Sequence, residues 1–252
     1  MLNYINAELY RYTHKRGTYV FYAVIIICIV GLFLLSNVTA SNAPSESFIQ
    51  FGLFLIPLIQ VFIGTHVYLT VYNDDLSTKS MTNIISTGLA KFLVPIAKII
   101  VSMITVLIGF IIMALLYFGI YFAIFHGFSE LTAANIESLL SISFVVYLAT
   151  IGVISITSII TYTFQKGGLG GVFIVALSTG LIAQILSLVE LVNSNFRVIV
   201  DNTLTRHLDL AVSAIASGDS VNSSYYIAAF LYIVISLVIA TFIFQKRDIE
   251  VG

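Results

Sequence analysis

The sequence predicts an all-α protein with about six transmembrane helices, and three observations support this prediction. Of the 252 residues, 59% are apolar and only 9% are charged, whereas a soluble domain carries about 25% charged residues. The mean hydropathy is +1.06. Several apolar runs also reach the roughly 20 residues that a helix needs to cross the hydrocarbon core of a bilayer. Lipid is therefore the expected solvent around most of the chain.

These apolar runs define the predicted spans, which cover residues 18–38, 48–72, 92–125, 139–164, 169–192 and 225–244. The third run is longer than one crossing requires, so we expect it to tilt or to begin in the interface. The first run exceeds the apolar core of a secretory signal peptide, which is about 7–15 residues long. We therefore interpret it as a retained helix.

The distribution of basic residues predicts the orientation. The termini and one set of loops contain Arg11, Lys15, Arg16, Lys79, Lys91, Lys98, Lys166, Lys246 and Arg247. The opposite loops contain only Arg197 and Arg206. Positive residues are retained on the cytoplasmic side, so both termini are predicted to be cytoplasmic. We expect a multi-pass protein of a bacterial cytoplasmic membrane.

The spans and the segments between them are predicted to form a single transmembrane domain, residues 1–252. Residues 1–16 have the pattern of an amphipathic helix that lies flat on the cytoplasmic surface. Residues 193–224 are half apolar and are not expected to remain in water as a plain loop. One or two short re-entrant or interfacial helices are predicted there.

The cytoplasmic segment 73–91 is also predicted to be helical. Asp74 and Asp75 are suited to the start of a helix, where negative side chains are favourable. An apolar stripe at helical spacing follows, formed by Met81, Ile84, Ile85 and Leu89.

No catalytic motif is apparent. The glycine-rich stretch 165–171 lacks the Gly-Lys-Ser/Thr of a phosphate-binding loop and is better interpreted as a tight cytoplasmic turn. The four histidines are scattered, and the single Cys28 excludes an internal disulfide. The net charge of −1 offers no case for nucleic acid binding. We expect no enzyme and no cofactor in this chain.

Charged groups are rare within the predicted spans. Spans one, two, four and six contain no acidic residue, lysine or arginine. Lys98 lies near the cytoplasmic end of span three, where we expect it to snorkel to the interface. Secondary transporters usually place such groups within the membrane to bind the coupling ion. The absence of a buried coupling group therefore predicts that the energy for any transport comes from elsewhere.

Four charged residues on the predicted outer side are candidates for an external gate: Glu190, Asp201, Arg206 and Asp209. The alternative interpretation is that they hold the outer helices together through ordinary ion pairs. Hydroxyl side chains in span four, such as Ser155 and Thr157, similarly suit either a passage or close helix packing.

This arrangement resembles the membrane subunit of type-2 ABC transporters. The opening residues 1–11 are similar to the family's entry helix. Residues 74–98 are similar to its pattern of acid, Lys-Thr-like pair, apolar stripe, small residue with glycine, and downstream lysine. The closing residues 244–249 resemble its short basic-then-acidic tail. Ala90-Lys91 departs from the arginine that many members have at this turn.

The resemblance implies a non-catalytic permease subunit that works with a separate P-loop ATPase, which binds ATP and Mg²⁺. Segment 73–91 would be the coupling helix in a groove of that ATPase. Its apolar anchors would be Met81, Ile84, Ile85 and Leu89, and its rim charges Asp74, Asp75 and Lys79. A second permease, identical or homologous, would complete the passage.

The resemblance also implies export of amphipathic peptides of the antimicrobial, cytolytic or bacteriocin-like kind, or immunity to them. Lipid, polysaccharide and drug cargo remain open. Two other functions remain as alternatives, namely an autonomous secondary carrier or channel and a non-transporting membrane sensor.

Overall fold

A computed structural model describes residues 1–39, 44–77, 88–125 and 132–246. Within residues 33–39, 44–50, 77 and 124–125 it describes only the helical backbone. The described residues form helices and short connections, without a β-strand. The prediction of an all-α chain is confirmed.

The α-helices of the described ranges are α1 (Leu2–His14), α2 (Arg16–Thr39), α3 (Pro44–Tyr68), α4 (Asp74–Ser77), α5 (Leu93–Phe125), α6 (Ala133–Phe164), α7 (Gly167–Ser178), α8 (Leu181–Val192), α9 (Arg197–Asp201), α10 (Leu204–Ala216) and α11 (Ser223–Lys246). A π-helical turn, Leu69–Asn73, joins α3 to α4, and a 3₁₀ turn, Ser194–Phe196, precedes α9.

Four of the described helical segments are long and apolar enough to cross a membrane: Phe51–Leu76, Leu93–Ala123, Ala133–Phe164 and Ser223–Lys246. The number rises to six if each of two bent helix pairs forms one span. These pairs are α1 with α2, bent by 55°, and α7 with α8, bent by 66°. A multi-pass membrane protein is the class that these lengths and compositions indicate.

The two bends have local causes in the backbone. Lys15 adopts an extended conformation between α1 and α2, with φ −76° and ψ 121°. Gly180 adopts a left-handed conformation between α7 and α8, with φ +72°, which favours glycine. The predicted fifth span, 169–192, is therefore divided into two helices at Thr179 and Gly180.

Helix α6 lies at the centre of the fold and contacts α3, α5, α7, α10 and α11. Its buried face includes small hydroxyl side chains such as Thr150, Ser155 and Thr157, each of which donates a hydrogen bond to the carbonyl four residues earlier. Because their polar groups are satisfied within α6, these side chains allow neighbouring helices to approach closely. This geometry favours packing over a passage for Ser155 and Thr157.

The helix bundle has two ends that differ in chemistry. We call the end that holds α1, Lys98 and Phe164 the basic end, and the opposite end, which holds Ala133 and Ser223, the cavity end. Tyr162 contacts Tyr72 and Phe244 near the basic end, with ring centroids 6.1 and 4.9 Å away. The last turns of α6 and α11 therefore lie next to the π-helical turn.

Helix α10 packs along α6 in the half of the bundle that leads to the cavity end. Leu204, its first residue, contacts Gly152 near the middle of α6; a Cβ atom on Gly152 would lie 2.6 Å from a Leu204 methyl group. Just before α10, the carbonyl of Asn202 accepts a hydrogen bond from the Tyr232 hydroxyl at 2.7 Å. The segment 193–216 thus reaches the middle of two long helices.

Candidate functional site

Four charged side chains from three separate parts of the chain form a buried ion cluster at the basic end. These residues are Glu8 of α1, Arg11 of α1, Asp75 of α4 and Lys98 of α5. Asp75 and Lys98 are both 0% exposed. The Glu8 side chain is 5% exposed, and the Arg11 side chain, which reaches the surface, is 36% exposed. The cluster joins the amino-terminal helix to the start of segment 73–91.

Asp75 is the centre of this ion cluster. Its Oδ1 atom contacts the Arg11 guanidinium, and its Oδ2 atom contacts the Lys98 ammonium. Arg11 also donates to the Glu8 carboxylate at 2.6 Å. Two acids and two bases thus balance one another, which is the condition under which charges are tolerated in an interior.

The π-helical turn supplies backbone acceptors to the same cations. In this turn the hydrogen-bond ladder shifts by one residue, and the Asp74 N–H donates to the Leu69 carbonyl. The Thr70 carbonyl accepts from Arg11 at 3.3 Å, and the Val71 carbonyl accepts from Lys98. The turn therefore orients Asp75 and provides part of the solvation that the two buried cations have lost.

A second ion pair at the surface strengthens the same junction. The Lys15 ammonium contacts the Asp74 carboxylate, and the two side chains are 38% and 31% exposed. Because water screens this pair, its contribution to the stability of the fold is at most about 1 kcal/mol.

Burial raises the pKa of the Glu8 carboxyl in the ion cluster, although the Lys98 and Arg11 charges act in the opposite direction.

The structure corrects two expectations about charge. Lys98 does not snorkel to the interface, because its ammonium is fully buried against Asp75. Asp75 is also fully buried, so its carboxylate is not exposed as a rim charge would be.

Three of the seven residues predicted to couple to an ATPase lie within the described ranges. Asp74 and Asp75 begin α4 and bind Lys15, Arg11 and Lys98 as described above. Leu89 is half-buried and packs against the core. Lys79, Met81, Ile84 and Ile85 lie outside the described residues. Both ends of the predicted coupling segment are thus attached to the bundle.

The glycine-rich stretch forms the predicted turn and also a close helix contact that we did not predict. Gln165 ends α6 with φ +52°, and α7 begins at Gly167. A Cβ atom on Gly167 would lie 1.8 Å from the Asn73 Oδ1 atom, and one on Gly170 would lie 1.7 Å from the Tyr68 hydroxyl. That hydroxyl lies 2.7 Å from Thr161 Oγ1. We call this contact between α3, its π-helical turn and α7 the glycine seam.

A polar cavity of about 560 Å³ lies in the half of the bundle that leads to the cavity end. It is formed by α3, the break between α7 and α8, and helices α8, α9 and α10. All four predicted gate residues line it: Glu190, Asp201, Arg206 and Asp209. The structure therefore brings Glu190 and Asp209, which are 19 positions apart in the sequence, to the wall of one cavity.

The charges of the polar cavity are mostly separate from one another. Asp201 pairs with Arg197 at 3.6 Å, one helical turn away, and this arginine was not among the predicted residues. Within the described residues, Glu190, Arg206 and Asp209 take part in no ion pair. Ordinary ion pairing thus accounts for Asp201 but not for the other three.

Sequence reasoning also missed Gln60, the most deeply placed polar residue of this cavity. Its side chain belongs to α3 and is 2% exposed, yet it lines the cavity. Its amide forms no hydrogen bond to the described residues and is accessible from the cavity. The sequence offered a signal, because Gln60 interrupts a long apolar run.

Partial burial raises the pKa of the Asp209 carboxyl, and the opposing charge of Arg206 lowers it by less.

Comparison with known proteins adds no assignment. No protein-family model matches the chain, and no curated protein matches it. The ion cluster and the polar cavity are therefore the observations from which a function is inferred.

Proposed function

We propose that this chain is the membrane-spanning permease subunit of an ATP-driven ABC exporter of the type-2 kind. In this proposal a separate ATPase subunit docks at the basic end and binds segment 73–91. The chain itself carries no catalytic role. A second permease, either an identical copy or a homologue, completes the passage.

The ion cluster is the observation that carries this proposal. Asp75 lies near the start of segment 73–91, and its carboxylate contacts Arg11 of α1 and Lys98 of α5. A displacement of the segment by a partner therefore acts on the amino-terminal helix α1 and on the membrane-spanning helix α5 at once. Removal of one partner from a buried ion pair costs about 3–5 kcal/mol, so this joint resists separation during such a displacement.

The orientation in the proposal follows from the charge at the two ends. Lys15, Lys98, Lys166 and Lys246 all belong to the basic end, and basic residues are retained on the cytoplasmic side. The polar cavity then faces the outer half of the membrane. The segment 193–216 is re-entrant in this proposal, because it reaches the middle of α6 through Leu204 and returns along α10.

The proposed cargo is an amphipathic peptide. The polar cavity combines carboxylates and amides with the apolar side chains of Pro57, Val200 and Leu208. A cargo with both polar and apolar faces satisfies both kinds of wall. Export of such peptides and immunity against them both require movement of the peptide towards the outside of the cell.

The proposal is tested by purification of the tagged chain from its native cells in mild detergent, followed by mass spectrometry of the proteins that accompany it. A stoichiometric P-loop ATPase is expected with the unmodified chain. The Met81→Asp, Ile84→Asp, Ile85→Asp triple variant is expected to lose that ATPase, because charged residues disrupt an apolar docking surface.

A matched control is Leu2→Asp, which alters an exposed apolar residue of α1, 74% exposed, at the same end. This variant is expected to retain the ATPase. A chain that purifies alone in all forms contradicts the proposal, and so does a triple variant that retains the ATPase.

A second candidate function, an autonomous secondary carrier, is favoured by one observation. The buried Asp75 is the kind of acid through which ion-coupled carriers bind their coupling ion. Two cations already neutralise it, however, and it lies near the end of its helical segment. Ion-driven flux into liposomes that contain only the purified chain would establish the carrier, and inert liposomes would reject it.

A further inference from the structure

The polar cavity has an uneven balance of charge. Its five charged side chains are three carboxylates and two guanidiniums. Arg197 is already paired with Asp201. The remaining charges are the carboxylates of Glu190 and Asp209 and the guanidinium of Arg206, which leave the cavity with one excess negative charge. An excess of negative charge along the wall of a cavity favours a cationic ligand.

Gln60 provides a second and independent indication of a ligand. Its side chain is 98% buried, because only 2% is exposed, and it lines the inner part of the cavity. Its amide forms no hydrogen bond to the described residues, and its polar atoms are accessible from the cavity. Because this amide faces the cavity without a protein partner, its oxygen is available to a ligand donor there. A ligand donor placed between Gln60 and the carboxylates would satisfy the amide oxygen.

The apolar walls specify what carries the cationic group. Pro57, Val200 and Leu208 line the same cavity as the carboxylates. Its volume of about 560 Å³ lies within the range of roughly 300–1,000 Å³ that is usual for small-ligand sites. This space accommodates a few side chains and not a folded domain.

We propose that the polar cavity binds a protonated amine or guanidinium group on an apolar chain, namely a basic side chain of an amphipathic peptide. Glu190 and Asp209 bind the cation, and Gln60 accepts a hydrogen bond at the inner end. Arg206 limits the affinity, because its guanidinium repels the ligand. This inference deepens the proposed function and rests on it for the interpretation of the ligand as cargo, whereas binding itself requires no ATPase.

The absence of tryptophan from the chain permits a direct binding measurement. The purified full chain is placed in nanodiscs of zwitterionic phosphatidylcholine, so that the lipid adds no net charge. The probe is a ten-residue amphipathic peptide with one tryptophan and two lysines, and a matched peptide has glutamine in place of both lysines. Because the protein contributes no tryptophan signal, the fluorescence change reports the peptide alone. The lysine peptide is expected to bind about tenfold more tightly, the effect of one charge-assisted hydrogen bond.

Variants with opposite expected signs test the assignment of the charges. Glu190→Gln and Asp209→Asn are each expected to reduce the preference for the lysine peptide several-fold. Arg206→Gln is expected to increase it, a gain that a misfolded protein does not give. Asp219→Asn removes a carboxylate from a different cavity, at the start of α11, and is expected to leave the preference unchanged.

Equal binding of the two peptides would overturn this inference, as would a weaker preference in Arg206→Gln. A small amine, tryptamine, is measured in parallel. If tryptamine shows the same dependence on Glu190 and Asp209 while the lysine peptide does not bind, the ligand is a small amine and the peptide assignment is overturned. A chain that retains its ATPase but shows no cation preference contradicts only this inference, whereas a cation preference without an ATPase contradicts only the proposed function.

Discussion

The ammonium of Lys98 contacts the carboxylate of Asp75 at a position where neither side chain is exposed to solvent. Twenty-three residues separate them in the sequence, and the second cation on the same carboxylate, Arg11, is 64 residues away. Each member of this group is balanced by an opposite charge. The fold therefore depends on the complete set, and removal of one member has a different cost at each position.

Asp75→Asn is expected to destabilise the protein by about 3–5 kcal/mol, because it leaves Lys98 as a buried charge without an opposite charge. Glu8→Gln is expected to cost less than about 1 kcal/mol, since Arg11 retains Asp75 and is partly solvated. The measurement is the apparent melting temperature of the purified variants in detergent. Equal losses in the two variants would contradict the central position of Asp75.

The double variant Asp75→Asn, Lys98→Met is expected to be more stable than Asp75→Asn alone. Methionine retains most of the length of Lys98 but carries no charge, and apolar residues often replace a buried ion pair with little loss. Thermal unfolding in the same detergent checks this. A double variant no more stable than the single one would show that the Asp75 loss does not come from the unpaired Lys98 charge.

Gly170→Ala is expected to destabilise the glycine seam by about 1–3 kcal/mol, the usual cost of an overpacked interior. Its Cβ atom would lie 1.7 Å from the Tyr68 hydroxyl and would displace the hydrogen bond to Thr161. Gly168→Ala is the matched control in the same helix, because no atom lies within 4 Å of its Cβ position. This control is expected to retain the melting temperature of the unmodified chain. Comparable losses of melting temperature in both variants would indicate that alanine disturbs helix α7 itself, and not the close contact between Gly170 and Tyr68.

The affinity for the lysine peptide is expected to fall as the pH is lowered from 7.5 to 5. Partial desolvation raises the pKa of Asp209 above the ordinary value of an aspartate, against the opposing charge of Arg206. This carboxyl therefore becomes neutral at a higher pH than an ordinary aspartate, while the peptide lysines, with a pKa of about 10.4, stay charged. The other ionisable groups of the region are Glu190, Arg197, Asp201, Arg206 and His207.

The pH dependence is measured in a His207→Asn background, which removes the imidazole as a source of positive charge. Asp209→Asn in that background is expected to show a flatter pH profile. If both profiles have the same slope, Asp209 does not control the affinity.

The apolar runs were sufficient to predict an all-α chain with several spans, because burial in lipid requires a composition that a hydropathy average detects. The same average concealed the break at Thr179 and Gly180. A glycine that follows an apolar helix is a recognised stop signal, but the run continues beyond it at Leu181. The length of the apolar run therefore predicts one continuous span where the structure has two helices.

The ion cluster was beyond sequence reasoning for a different reason. The sequence places Asp75 and Lys98 on the same predicted side of the membrane, but no periodicity relates α1 to α4 and α5, and no residue pattern in 69–73 predicts the π-helical turn that orients Asp75. The four predicted gate residues were easier to group, because they lie within 190–209. Their shared cavity is a structural finding, whereas their role as a gate stays a prediction.

The glycine seam and the break at Gly180 divide one apolar run into parts with different mechanical properties. Gly167 and Gly170 allow α7 to pack closely against Asn73 and Tyr68, so this half of the run is held firmly against α3 and its π-helical turn. Beyond the seam, the left-handed Gly180 is followed by α8, which has no buried residue. A rotation of the backbone at Gly180 would therefore move α8 and change the width of the polar cavity, while the contacts of the seam stay in place.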